Sequence, residues 1–281
     1  MKENKEVQDQ FIIAYLTDLE RTEHIINNAS AFARLLDKGL VLLFISDKRY
    51  TKVSTEEAQT KLKEINSTID LPFHSYIAIE GDTKKIIENI PYLFSGVLIV
   101  SDYSKEGQDR KMPNHYNHIL KNFYTSRIAY FLIDQDYKKT VKYDSVLLTI
   151  EHFRESKEKI LWASYFGRFA SSELTLYYHF YRDDFYRRQL RFNIAFAKRM
   201  FDNFSLYYNY YQSRNLKEFV DHQAIRFAHE EDYDLIISQT TKNRDWTNLL
   251  FGLKERKTML NNHGMPILFV NPREDLFVLC E

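Results

Sequence analysis

Cysteine is all but missing: the 281 residues hold one, Cys280. A lone thiol cannot close an internal disulfide, so nothing points to an oxidising compartment. Glycine is scarce at seven residues and proline at five. So few glycines leave little material for loops that cradle phosphate, whose backbone favours φ > 0. Neither sign of charge dominates, with 39 Lys plus Arg against 39 Asp plus Glu. The whole molecule therefore exerts no net pull on a polyphosphate, and nucleic acid is not an expected partner. No window reaches the ~20 apolar residues of a membrane span. The charged start, Met1–Gln10, lacks the apolar run of a secretory signal. These absences lead to the expectation of a cytoplasmic protein with no membrane partner.

What is present is a chain able to build a core. Hydrophobic residues make up 44% and charged residues 28%, with 20 Tyr and 21 Phe. Short β-branched or aromatic runs alternate with stretches of helical period. The first five runs are Phe11–Leu16, Leu40–Ser46, Phe73–Ile79, Val97–Val100 and Ile128–Ile133. Between the first two lies a helical face of Ile25, Ile26, Ala29, Phe32, Ala33 and Leu36. Ser54 and Glu57 have capping-box spacing and open the next helix. A short helix near Lys84–Ile90 is predicted to end at Pro91, and another lies near Tyr116–Phe123.

The order then repeats, with runs at Ser145–Ile150, Leu174–Tyr178, Leu206–Tyr211, Leu235–Ser238 and Ile267–Val270. Helical segments lie near Lys157–Ala170, Phe185–Phe201, Leu216–His229 and Thr247–Asn261. Such alternation predicts parallel sheets with helices on both faces. Ala29-Ser30-x-Phe32-x-Arg34 recurs as Ala163-Ser164-x-Phe166-x-Arg168, a displacement of 163 − 29 = 134. Ile26 maps to Ile160 and Leu40 to Leu174 at that displacement. The expectation is an internal duplication, with domains at 1–138 and 139–281 and a boundary in the polar stretch Asp134–Lys142.

In the second half the chain reads Asp234-Leu-Ile-Ile-Ser238, then a long loop to Leu249-Leu-Phe-Gly252, then Gly264-Met-Pro-Ile-Leu-Phe-Val270. This resembles the closing third of universal stress protein domains: an Asp-Leu-Ile strand, a Leu-Leu-x-Gly helix start and a final Pro-x-Leu-x-Val strand. The first half fits more loosely, through its opening strand–helix–strand unit and the strand Gly96–Ser101. The resemblance implies two tandem Rossmann-like domains of the adenine nucleotide alpha hydrolase-like kind. Each would be a five-stranded parallel sheet flanked by helices. It also implies pairing through the last strands, here as an internal pseudo-dimer, with a homodimer left open. A sheet edge needs a cover whatever the family.

ATP-binding members carry Gly-x2-Gly-x9-Gly-Ser/Thr after the fourth strand, where backbone N–H groups and a helix start surround the phosphates. Counting back from Gly252 puts Lys242 and Gln239 where two glycines belong, and Leu253 stands in for the hydroxyl residue. The first-half loop, Ser101-Asp-Tyr-Ser-Lys-Glu-Gly107, gives no full match either. Where ATP binders place an Asp at the first strand's tip, this chain has Thr17, with Asp18 beside it, and Glu151. Thr17 or Asp18 reads equally as a helix cap.

Two readings stay open. One is a non-enzymatic stress-response protein with a degenerate ATP loop, acting through an unknown protein partner. The other is a nucleotide binder, for ATP or AMP, with a rebuilt site in the second domain. That site would draw on Glu151, Ser238, Thr240, Lys242 and Gly252, at the strands' carboxyl ends. No catalytic residue is assigned, since no Gly-x-Ser-x-Gly elbow occurs and Cys280 has no neighbouring His. No metal is expected: His115 and His118, and His222 and His229, share helix faces but lack further ligands in sequence. The segment Tyr181–Phe192 mixes arginines with aromatics and could stack RNA. Its plainer reading is a helix with Phe185, Leu190, Ile194 and Ala197 towards the sheet.

Overall fold

The computed structural model describes residues 10–105, 113–123, 126–137, 140–153, 156–213, 220–240 and 263–271. The chain divides into two compact units, Met1–Tyr130 and Phe131–Glu281.

The first unit runs β1 (Phe11–Leu16), α1 (Glu23–Leu36), β2 (Gly39–Ser46), α2 (Thr55–Asn66), β3 (His74–Glu80), α3 (Thr83–Phe94), β4 (Gly96–Tyr103) and α4 (Tyr116–Phe123). Its strands lie in the order β3-β2-β1-β4, all parallel. β5 (Ala129–Asp134) spans the division between the units. Every residue of β2 is buried, as a central strand covered on both faces requires, whereas the edge strand β3 has no buried residue. Ser54 caps α2 by accepting the Glu57 amide at 3.1 Å. Pro91 does not end α3, which continues to Phe94. The reason is tertiary. The residue before proline normally leaves the helical region, but Ile90 is wholly buried against β4. There Gly96 is required, because a Cβ would stand 2.5 Å from Ile90 Cγ2.

The second unit runs β6 (Ser145–Ile150), α5 (Ser156–Phe169), β7 (Glu173–His179), α6 (Asp184–Asn203), β8 (Tyr208–Ser213), α7 (Val220–Glu230), β9 (Leu235–Gln239) and β10 (Ile267–Val270). Its order is β10-β9-β6-β7-β8, again parallel. The segment expected as a helix at 247–261 lies outside the described residues. Phe11, Gly39 and His74 open β1 to β3. Ser145, Glu173 and Tyr208 open β6 to β8, each at the displacement that separates Ala29 from Ala163. The matched residues share their burial: Ala29 and Ala163, and Phe32 and Phe166, are all core. One expectation fails on α6. Leu190 and Ala197 are buried and Ile194 is half-buried, but Phe185 faces outward at 58% exposure. It occupies the first turn, where Asp183 caps the helix through the amides of Phe185 and Tyr186 at 2.8 and 3.1 Å.

Scarce glycine leaves a mark on the helix ends. Five non-glycine residues, Asp37, Ser95, Ser171, Ser205 and Asp232, hold left-handed backbone with φ between 48° and 56°. Each follows a helix, in the place usually taken by glycine. The next amide reaches back five residues at three of them: Lys38 to Ala33, Leu206 to Phe201 and Tyr233 to Ala228, at 2.8–2.9 Å.

Candidate functional site

In an open parallel sheet, ligands are met outside the carboxyl ends of the strands, where the strand order reverses. In the first unit that crevice lies between β1 and β4, and in the second between β6 and β9.

In the second unit Glu151 follows β6, while Ser238 and Gln239 close β9 and Thr240 follows it. The β6–β9 register, Leu148 against Ile237, puts these residues at one end of neighbouring strands. Most of their polar groups turn to partners within the protein. Glu151, 6% exposed, lies with Oε2 3.4 Å from Nζ of Lys159, a fully buried lysine on α5. Lys159 also donates to Thr149 Oγ1 at 3.2 Å. The Glu151 carbonyl accepts from Asn193 Nδ2 at 2.8 Å. The same nitrogen reaches the Phe153 carbonyl at 2.7 Å, which ties the loop after β6 to α6. Ser238 Oγ donates to Asp221 Oδ1 on α7 at 3.1 Å, and Thr240 Oγ1 donates to Asn271 Oδ1 at 2.6 Å. The side-chain oxygen of Gln239 is buried without a hydrogen-bond partner among the described residues. Lys242 and Gly252 lie outside the described residues.

Next to Glu151, His152 packs among rings: Phe153 at 4.1 Å, Tyr186 at 4.4 Å and Tyr181 at 4.9 Å between centroids. Burial lowers the His152 pKa, and the Glu151 charge offsets part of that effect. Burial likewise lowers that of His179, which stands edge-on to Tyr181.

The first unit builds a different cluster at the same end. Asp102, buried in β4, accepts from Thr17 Oγ1 at 3.2 Å and from Asn114 Nδ2 at 3.3 Å. Nε2 of His24, on α1, stands 3.3 Å from its second oxygen. Thr17 and Asp18 do not cap α1: its cap residue is Thr22, and Asp18 instead closes a turn by accepting the Glu20 amide. At the end of β2, Asp47 accepts from Arg49 at 2.6 and 2.9 Å and from the Thr83 amide at 2.8 Å. Burial alone would raise the Asp47 carboxyl, but the bonds from Arg49 and Thr83 outweigh it and hold it below the usual carboxylate range. Arg49 also bridges to Asp82, the cap of α3, at 2.8 Å. Beside it the Tyr50 ring meets His118 of α4 at 4.5 Å.

Asp102, His24, Asp47 and Lys159 were not singled out from the sequence. A carboxylate closing the apolar run Val97–Val100 was the available sign for Asp102. For Lys159 it was a lysine standing where the displacement from Ile25 calls for a core side chain. Chemically, most polar groups of both clusters are bonded within the protein. In the first, the imidazole and the threonine hydroxyl each meet the carboxylate, and no bond among the described residues joins the two. That differs from a nucleophile–base pair, where the base must reach the hydroxyl.

The fold and the placement of these clusters define an α/β protein of parallel sheets with polar groups gathered at strand carboxyl ends. No protein-family model matches the sequence, and no curated protein matches it. Solved structures do. A universal stress protein from Archaeoglobus fulgidus is similar over 95% of this chain and 100% of its own, with a TM-score of 0.71 and 10% identity. A functionally unknown protein from Pseudomonas aeruginosa matches over 95% and 93%, with a TM-score of 0.63 and 11% identity. The cytoplasmic domain of a prokaryotic cation chloride cotransporter matches over 96% and 98%, at 0.58 and 13%. At such identities what is shared is the fold: this chain has the fold of universal stress proteins. No helix among the described residues is long and apolar enough to cross a membrane.

Proposed function

We propose that the chain is a tandem universal stress protein-like regulator, duplicated as 1–138 and 139–281. It is non-enzymatic, works in the cytoplasm and acts by associating with another protein rather than by turning over ATP. The observation that carries this reading is the Glu151–Lys159 pair. The carboxylate at the first-strand tip of the second unit, where ATP binders of this fold place an Asp, has a buried lysine beside it. In the first unit the same position is Thr17, bonded to Asp102. Sequence supports the reading as well, since Lys242 and Gln239 replace the glycines of a phosphate cradle.

The second reading, a nucleotide binder for ATP or AMP with a rebuilt site, draws on one specific feature. Gln239 Oε1 is buried and unpartnered among the described residues, next to the loop that leads to Lys242. A ligand amino group would satisfy it. Equilibrium binding of labelled ATP to the full chain separates the two. The association reading expects no saturable binding up to millimolar ATP. Micromolar affinity that weakens in Lys242→Ala would overturn it and establish the alternative.

A further inference from the structure

Exposed aromatic rings are unevenly shared. Among the described residues thirteen large apolar side chains are exposed, and ten of them lie in the second unit. Several gather along α5 and α6, including Phe169, Phe185 at 58% exposure, Phe192 at 60% and Phe204. A concentration of this kind marks an interaction surface far more often than scattered single residues do.

The rings come with cations. Nζ of Lys157 lies 5.0 Å from the Phe192 centroid and 5.1 Å from that of Phe196, so α5 and α6 are side by side here. The Arg168 guanidinium sits 4.9 Å from the Phe169 ring and 4.4 Å from that of Phe204. Such stacking fixes a long side chain in place before any partner arrives. Along the same helix α6 offers Arg191 and Arg199, both exposed, whose side chains make no ion pair or hydrogen bond among the described residues. Exposed carboxylates stand only at the two ends of α6: Asp183 and Asp184 at its start, Asp202 at its finish.

We infer that this outer face of α5 and α6 binds an acidic segment of another protein, anchored by apolar side chains. The inference rests on the association reading above and supplies its surface and the partner's chemistry. Aromatic rings and arginines are the groups enriched at protein interfaces and their hot spots, and the unpaired guanidiniums call for carboxylates. The charge layout sets the length. The basic stretch Arg187–Arg199 is bounded by acids, and twelve residues of helix span roughly 18 Å. A short acidic segment fits between those bounds. A polyphosphate strand would run past Asp184 or Asp202 and be repelled, and cations already cover a face of Phe169, Phe192 and Phe204 that base stacking would need. An anionic lipid surface is disfavoured at Phe185, the ring nearest the helix start. Sinking it below the phosphates would carry Asp183 and Asp184 down as well.

The test places a photo-cross-linking residue in the full chain inside cells, as Phe192→p-benzoylphenylalanine. A control carries Tyr92→p-benzoylphenylalanine, at a residue of the first unit that is 67% exposed. The expected result is protein cross-links at position 192 whose sequenced peptides carry a surplus of Asp and Glu. The yield should fall roughly tenfold in Arg191→Glu/Arg199→Glu, because reversed rim charges repel the acidic segment. Thermal melting of that variant confirms that it folds. Protein cross-links at 92 with none at 192 overturn the surface and leave the association reading standing. No protein cross-link at either position overturns both. Capture of RNA or lipid at 192, of peptides without acidic surplus, or a yield unchanged by charge reversal overturns the inference.

Discussion

The Glu151–Lys159 pair gives the sharpest test of how the second unit's site is built. Lys159 is wholly buried and Glu151 nearly so, with 3.4 Å between Nζ and Oε2. At an effective dielectric near 20, two charges at that distance attract by about 5 kcal/mol. Removing both from water offsets much of this gain, so the pair contributes little net stability. Breaking it is a different matter. Glu151→Gln removes the carboxylate beside a buried ammonium, and Lys159→Met removes the ammonium beside a buried carboxylate. Each should destabilise the second unit by about 3–5 kcal/mol. The double variant should recover to within about 1–2 kcal/mol of the parent, giving a coupling energy of about 4 kcal/mol or more. Urea unfolding reads this through Trp162, on the same helix α5 as Lys159, in a Trp246→Phe background. If both single variants lose less than about 1 kcal/mol and the double loses their sum, the carboxylate is not spoken for by the lysine. Glu151 would then be open to a ligand rather than satisfied within the protein.

Two further outcomes follow from the fold. Ser95, Ser171 and Ser205 hold left-handed backbone after α3, α5 and α6, a conformation costing an L-residue about 1–2 kcal/mol. Glycine gives back about 0.5–1 kcal/mol through unfolded-chain entropy, so each Ser→Gly change should stabilise by about 0.5–1 kcal/mol, summed in the triple variant and measured by urea midpoint. The pH response comes from His152 and His179, whose pKa values burial lowers. Below the unfolded value near 6.5 the unfolded chain binds more protons than the native one. Stability should therefore fall as pH drops from about 7 through 6.5 and below. In His152→Phe, whose ring suits the same aromatic surroundings, the urea midpoint should fall less over that range; an identical fall would show that His152 does not report on this cluster.

Central elements were legible in the sequence because burial on both faces leaves an unbroken apolar run. Phe11–Leu16, Ser145–Ile150 and Ile267–Val270 are strands over the residues read from the sequence. The edge strand β8 begins two residues later than its tyrosine-rich run, because an exposed edge has no inward–outward pattern to fix its start. Pro91 misled because a local rule met a buried neighbour, Ile90. Phe185 misled because helical period assigns a face only where the helix is covered, and the first turn of α6 is not. Of the site residues named from the sequence, Glu151, Ser238 and Thr240 do share one end of the β6–β9 pair. Their hydrogen-bond partners were out of reach of sequence reasoning, since Lys159, Asp221 and Asn271 arrive from other elements through tertiary packing. The Asp102 cluster was hidden for the same reason: Thr17 lies 85 residues before Asp102 in the chain, His24 is close behind Thr17, and both meet the carboxylate only when β1 and β4 pair.

The helix position filled by Ile25 in one half holds Lys159 in the other, and both are sealed from water. A hydrocarbon and an ammonium are not interchangeable there, because the ammonium stands 3.4 Å from an acid. A gene rearrangement that grafted the first half's opening helix into the second would set a hydrocarbon beside the Glu151 carboxylate, and the reverse graft would put an ammonium where Ile25 is sealed from water. Two stretches of chain that share a fold and still keep matching residues have thus become mutually incompatible as spare parts, which protects their separate identities against recombination.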